Sequence, residues 1–289
     1  MLLLILCIVC NVLLAVIFKY FAKYGVNNLN AIVINYLVCV ISSSIFLGEV
    51  SIPDAFWTKP WFSYSVILSG MFIVGFNVMA LSFQRAGVAL TAIIQKMSMV
   101  MPAAFAIAFF GESLTLLKIL GMIAAVVTIV LVNWPSKVEE RINWKSWVII
   151  LPLLTFVMSG IIEIVLYYVE AAGLLAGEGM QFTATSFGLA GAVGAIYALI
   201  EMLRGKNKFQ TKDLIGGVVL GLPNYLTIYL LVALLAQGWD GSVLFPVNSI
   251  SILLLTTLVG ATVYAEQLNR LKIIGLLVGV AAILFISLS

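Results

Sequence analysis

Gly111-Glu-Ser-Leu-Thr-Leu-Leu-Lys-Ile-Leu-Gly121 is spelled a second time, with changes, as Ala265-Glu-Gln-Leu-Asn-Arg-Leu-Lys-Ile-Ile-Gly275. Glu112, Lys118 and Gly121 match Glu266, Lys272 and Gly275 at one constant offset. The apolar positions Leu114, Ile119, Val126 and Ile129 match Leu268, Ile273, Val280 and Ile283 at the same offset. Only 9% of the residues are charged, so apolar composition alone does not put an acid and a base in register twice. The chain reads as one ancestral unit used twice.

Working outward from these two stretches, the 289 residues are 63% hydrophobic with a mean hydropathy of +1.20, well above the roughly 45–50% apolar content of soluble domains. A hydrocarbon core about 30 Å thick takes about 20 apolar helical residues to cross. Ten such spans follow one another, at 2–22, 29–48, 62–84, 87–111, 114–133, 146–169, 181–203, 213–236, 241–265 and 270–288. Backbone groups in lipid must be satisfied within the segment or in a closed barrel, and continuous runs without strand alternation leave helices. The expected class is an all-α membrane protein of ten transmembrane helices. The first span has no basic residue before it and no small-x-small cleavage pattern after it, so it reads as a helix and not as a secretory signal.

The charged stretch 134–145, with Lys137, Glu139, Glu140, Arg141 and Lys145, separates residues 1–133 from 146–289 and leaves five spans on each side. Five is odd, so the expected architecture is two inverted five-helix repeats, a plan shared by many secondary transporters. Every Lys and Arg except Lys59, Lys96 and Lys118 falls on one face of this arrangement. Such an excess marks the cytoplasmic side and puts both termini outside the cell. Basic loops beside anionic headgroups also account for the net charge of +3 without a nucleic-acid partner.

Spans 4 and 5 read Ala89-Leu-Thr-Ala-Ile-Ile-Gln-Lys-Met-Ser-Met-Val-Met-Pro102 and, across their junction, Phe110-Gly-Glu-Ser-Leu-Thr-Leu-Leu-Lys-Ile-Leu-Gly121. A proline-bearing helix that ends in Gly-Glu and runs directly into a Gly-containing helix resembles the EamA-type repeat of the drug/metabolite transporter superfamily. Span 3 ends Ala80-Leu-Ser-Phe-Gln84, echoed by Ala233-Leu-Leu-Ala-Gln237, which is similar to the family pattern as well. The resemblance implies a ten-helix carrier in the cell (inner) membrane, with a central cavity lined mainly by spans 1, 3, 4, 6, 8 and 9. Ten-helix members of the family usually keep their termini in the cytoplasm, the reverse of what the charge count predicts here.

An ionised side chain in the middle of a membrane helix costs about 2.5–3.5 kcal/mol on insertion scales and is a functional hypothesis by default. Lys96, deep in span 4, and Glu163, in span 6, qualify. Glu163 belongs to a stripe of Thr155, Ser159, Glu163 and Tyr167, spaced four apart and so stacked on one helical face. The functional reading has Lys96 attract an anionic group on the substrate while Glu163 takes a cation or a coupling proton; the bland alternative is a buried salt bridge that fixes packing. Asn77 and Gln84 of span 3, Gln95 of span 4, Asn224 and Tyr225 after Pro223, and Asn248 after Pro246 complete the candidate substrate-binding set. Prolines in comparable places of two halves point to a binding site, because a kink frees backbone carbonyls; as packing groups, such amides and hydroxyls contribute about 0.6 kcal/mol each.

Other features read as structure. Glu112 and Glu266 sit at helix ends, where a carboxylate is solvated or pairs with a base. Gly217 with Gly221, and Gly275 with Gly279, form small-xxx-small faces. Cys7, Cys10 and Cys39 lie within spans, lack metal-ligand spacing and have no His to assist. No metal and no cofactor are expected.

The expected partners are a small-molecule substrate, protons and the lipid bilayer, and the expected function is alternating-access export of a small polar or amphipathic metabolite, coupled to protons or driven by exchange. A flippase for a lipid-linked sugar or headgroup is the nearest alternative. An intramembrane enzyme is remote: the chain has no His, and Asp54, Asp213 and Asp240 fall outside or at the edge of spans. No charged ring or filter repeat of a channel and no Gly-rich nucleotide loop is present.

Overall fold

The structure is a computed structural model that describes residues 1–86, 88–134, 146–265 and 267–289; the side chains of 22, 76, 77, 80, 83, 84, 88, 89 and 146–149 lie outside that description. Linker 134–145, beyond Trp134, and Glu266 fall outside it too. The described elements are α1 (Leu2–Tyr24), α2 (Asn28–Leu47), α3 (Phe62–Ala86), α4 (Val88–Lys96), α5 (Val100–Phe110), α6 (Leu116–Asn133), α7 (Ser146–Ala171), α8 (Gly179–Leu203), α9 (Thr211–Ala236), α10 (Gly241–Val263) and α11 (Arg270–Ser287), with short 3-10 turns at Phe56–Thr58 and Met97–Met99.

Among the described residues nine stretches are long and apolar enough to cross a membrane, and α3 contributes a shorter apolar run, Phe62–Gly75. The ten-span, all-helical reading therefore stands, with one difference. Span 4, one run over Leu90–Phe110, tightens into a 3-10 turn at Met97–Met99 between α4 and α5. Pro102 supplies the reason, since it lacks an N–H and its ring crowds the carbonyl four residues earlier, that of Ser98.

Local sequence sets several helix ends. Asn27 caps α2 by accepting from the N–H groups of Leu29 and Asn30, and Thr115 and Asn269 accept from the N–H groups of Lys118 and Lys272 at the starts of α6 and α11. Gly25 and Gly111 close α1 and α5 at φ 61° and 70°, left-handed geometry that glycine adopts at no steric cost.

The chain forms two compact units, each drawing helices from both sequence halves: Met1–Ile73 with Val169–Gln237, and Val74–Tyr168 with Gly238–Ser289. In the first, α9 lies on α1 and α2, and α2 also packs on α8. A Cβ on Gly217 would stand 2.5 Å from the Ala31 carbonyl oxygen, and one on Gly221 would overlap Val38, so this small-residue face is what lets α9 close on α2.

In the second unit α6 packs along α11. Gly121, early in α6, is seated on Ile286, late in α11; Gly275, early in α11, faces Val132, late in α6, where a Cβ would come within 2.8 Å of Cγ2. Start meets end in both contacts, so these two helices, the last of each repeat, run antiparallel, which is the relation inversion requires. Gly279 continues the seam, facing Leu254 and Thr128.

Candidate functional site

The second unit holds Lys96, Glu163, Tyr167, Gln95 and Asn248. Lys96 is the last residue of α4, at the rim of the 3-10 turn, and α10 packs on both α5 and that turn. α7 reaches the same place through Gly160, where a Cβ would overlap Met101 of α5. Glu163 follows Gly160 by three residues and so shares its helical face. Lys96 and Glu163 are both half-buried and each lies within the other's electrostatic field. Yet Glu163 Oε2 is buried with no hydrogen-bond partner among the described residues.

Asn248 is 8% exposed and its Oδ1 also lacks a partner. Tyr167 and Phe245 meet edge-to-face with centroids 6.4 Å apart, and Glu163 on α7 and Asn248 on α10 each lie one turn inward of that contact. Two buried acceptors are thus left open in one unit at comparable depth. A buried acceptor without a donor costs about 1–3 kcal/mol, a cost that a ligand bearing N–H, O–H or cationic groups removes.

Tyr167 is occupied otherwise. Its hydroxyl donates to Glu112 Oε1 at 2.7 Å, and Glu112 also accepts from the backbone N–H of Gly241, at 2.7 Å, and of Ser242, at 2.8 Å. Those N–H groups open α10, so the repeated glutamate caps a helix far from it in sequence, with its charge on the favourable end of the helix dipole. Lys118 completes the cluster: it is 1% exposed, donates to Ser242 Oγ at 2.8 Å and pairs with Asp240 at 3.4 Å. The sequence placed Glu112 at a helix end as structure, and so it is, but neither the tyrosine nor the α10 partner was visible there.

Gln95 Nε2 donates to Met79 Sδ at 3.3 Å, and Thr91 bonds Ser82 at 2.7 Å. Asn77 and Gln84 lie on α3, with side chains outside the description. Asn224 and Tyr225 belong to the first unit, where Asn224 Nδ2 donates to Asn35 Oδ1 at 3.2 Å and the fully buried Tyr225 donates to Ser43 Oγ at 3.2 Å. Tyr225 also stacks on Tyr229 at 5.6 Å. Asn35, 1% exposed, is a buried amide the sequence reading passed over; an Asn in the middle of span 2 was its only signal. No group of three or more His, Cys, Asp or Glu that could hold a metal occurs among the described residues.

Residues 2–134 match the EamA-like transporter family. The first part of the chain, up to Trp134, is thus similar to a family of transporters. An uncharacterized protein of Haemophilus influenzae is 27% identical over 295 residues, spanning 97% of this chain and 95% of its own length, so the likeness runs through both halves. A solved crystal structure shares the fold at a TM-score of 0.77 with 14% identity, over 99% of this chain and 96% of that one. Nine long apolar helices among the described residues make this a multi-pass membrane protein, and the open acceptors beside the 3-10 turn are read beside the transporter likeness of residues 2–134.

Proposed function

We propose that the protein is a secondary transporter that exports a small polar or amphipathic metabolite by alternating access, from a site built on Lys96 and Glu163. One observation carries this reading: Lys96 and Glu163 lie in each other's electrostatic field beside the 3-10 turn of the fourth span, with a carboxylate oxygen left unpartnered. A stretch of 3-10 inside a helix often marks a functional hinge. Lys96 attracts the anionic part of the substrate, and Glu163 takes its cationic or donor part, or a proton. Gln95 and Asn248 contribute amides from the same unit. Asn77, Gln84 and Tyr167 remain in the proposed set, with Tyr167 shaping the site through Glu112; Asn224 and Tyr225 are kept as polar candidates of the first unit, engaged there by Asn35 and Ser43. The Lys and Arg count supports a cell-membrane orientation with both termini outside.

The test is a panel of radiolabelled metabolites in proteoliposomes, comparing the native chain with Lys96→Ala and Glu163→Gln. The expected result is at least about a tenfold loss of transport in each variant, the equivalent of ~1.4 kcal/mol. Native rates in both variants would overturn the proposed roles.

A further inference from the structure

A groove of about 330 Å³ runs between α1 and α9, wholly inside the first unit. Ile17, Tyr20 and Tyr24 line it from α1, and Lys212, Ile215 and Val219 from α9. Gly216 makes its floor: a Cβ there would come within 3.0 Å of the Phe21 ring, so the helices touch at this point while the larger side chains on either side stand apart. Tyr24, Ile215 and Val219 are 61%, 59% and 52% exposed, so the groove is open along its length.

Polarity along the groove is graded. Tyr24 and Lys212 lie at its mouth, at the end of α1 and the start of α9. Ile17 and Val219 lie seven residues further in on their helices, about 10 Å deeper at 1.5 Å per residue. Tyr20 and Tyr24 stack at 6.1 Å, and Lys23 holds its ammonium 5.9 and 5.6 Å from their centroids, placing a second cation at the same end. Lys212 Nζ donates to the Tyr24 carbonyl at 3.2 Å, and an ammonium has two further N–H donors to offer. The adjacent acid points elsewhere: Asp213 is fully buried and accepts from Asn27, Asn30 and Gln210.

We propose that this groove binds an anionic glycerophospholipid, one acyl chain lying along Ile17, Ile215 and Val219 and the phosphate at the Lys212 ammonium. The order of groups matches the ligand: cations and aromatic rings at headgroup level, apolar side chains beneath. A free phosphate would leave the apolar channel empty, and a neutral lipid would leave the cations unmatched.

The experiment is native mass spectrometry of the delipidated full chain titrated with palmitoyl-oleoyl phosphatidylglycerol or with the phosphatidylcholine of the same chains. The native chain is expected to hold the glycerol lipid about fivefold more strongly, the effect of one lysine beside an anionic headgroup. Lys212→Gln keeps a donor for the Tyr24 carbonyl and removes the charge, so it should abolish that preference while still retaining lipid. Val219→Trp fills the channel and should lose both lipids. Equal retention of the two lipids by the native chain, or native-like preference in Lys212→Gln, would overturn the assignment. Lys212→Gln alone decides the matter if Val219→Trp fails to fold.

Discussion

Gly121 of α6 sits directly against Ile286 of α11, with no room for a side chain between the two helices. The glycine belongs to the repeated stretch, and its repeat mate Gly275 makes the reciprocal contact on Val132. Part of what is repeated in this chain is therefore a pair of surfaces that fit each other.

Enlarging either glycine forces the two helices apart. Gly121→Ala meets not only the Ile286 side chain but its backbone nitrogen, 3.1 Å from the new Cβ, and the Ala282 carbonyl oxygen at 3.2 Å. Backbone yields less than a side chain does, so the expected cost is about 1–3 kcal/mol, read as a lower melting temperature of the purified protein in detergent. An unchanged melting temperature would show that α6 and α11 tolerate a wider separation.

Glu112 caps α10, and its loss should be graded by what replaces it. Glu112→Ala leaves the Gly241 and Ser242 N–H groups and the Tyr167 hydroxyl without their acceptor, and is expected to destabilise by about 1–3 kcal/mol. Glu112→Gln keeps one acceptor and loses the charge, so its melting temperature should fall between Glu112→Ala and the native chain. Equal melting temperatures for all three would remove the cap from the account.

Glu178 gives the fold a pH dependence of known sign. Lys59 donates to one carboxylate oxygen, and Trp61 Nε1 donates to the other at 2.8 Å. The Lys59 hydrogen bond chiefly holds the Glu178 carboxyl below its ordinary range; burial opposes it, and Trp61 adds to it. A depressed carboxyl stabilises the folded state above its unfolded value, about 4.3, and that contribution disappears as pH falls through the lowered folded value. The native chain should therefore melt higher than Glu178→Gln near neutral pH, with the gap closing below about pH 4. A gap that widens on acidification would reverse the sign.

Much of this was legible before any coordinates. Ten apolar runs name ten helices because lipid permits a long span no other backbone solution, and Lys96 and Glu163 stand out because charge is costly there. The 3-10 turn after Lys96 was hidden: Pro102 announces a disturbance, but the carbonyl it crowds, that of Ser98, lies four residues back, in a stretch with no Gly and no cap to signal it. The role of Glu112 was hidden differently. Its partners are backbone N–H groups of Gly241 and Ser242, which carry no sequence mark of their own, and only folding brings them near. Asn35 and Asn224 likewise satisfy each other across two helices, and either one alone reads as an open polar group.

The proposed function requires that Lys96 and Glu163 both face water that the substrate enters. Cysteine accessibility tests it most directly: Lys96→Cys and Glu163→Cys are placed singly in a chain whose Cys7, Cys10 and Cys39 are replaced by alanine, then exposed in intact membranes to a membrane-impermeant maleimide. The account predicts that both cysteines are labelled and that transported substrate slows the labelling. Cysteines that stay unlabelled while a control at Glu178→Cys reacts would place the pair away from water and contradict it.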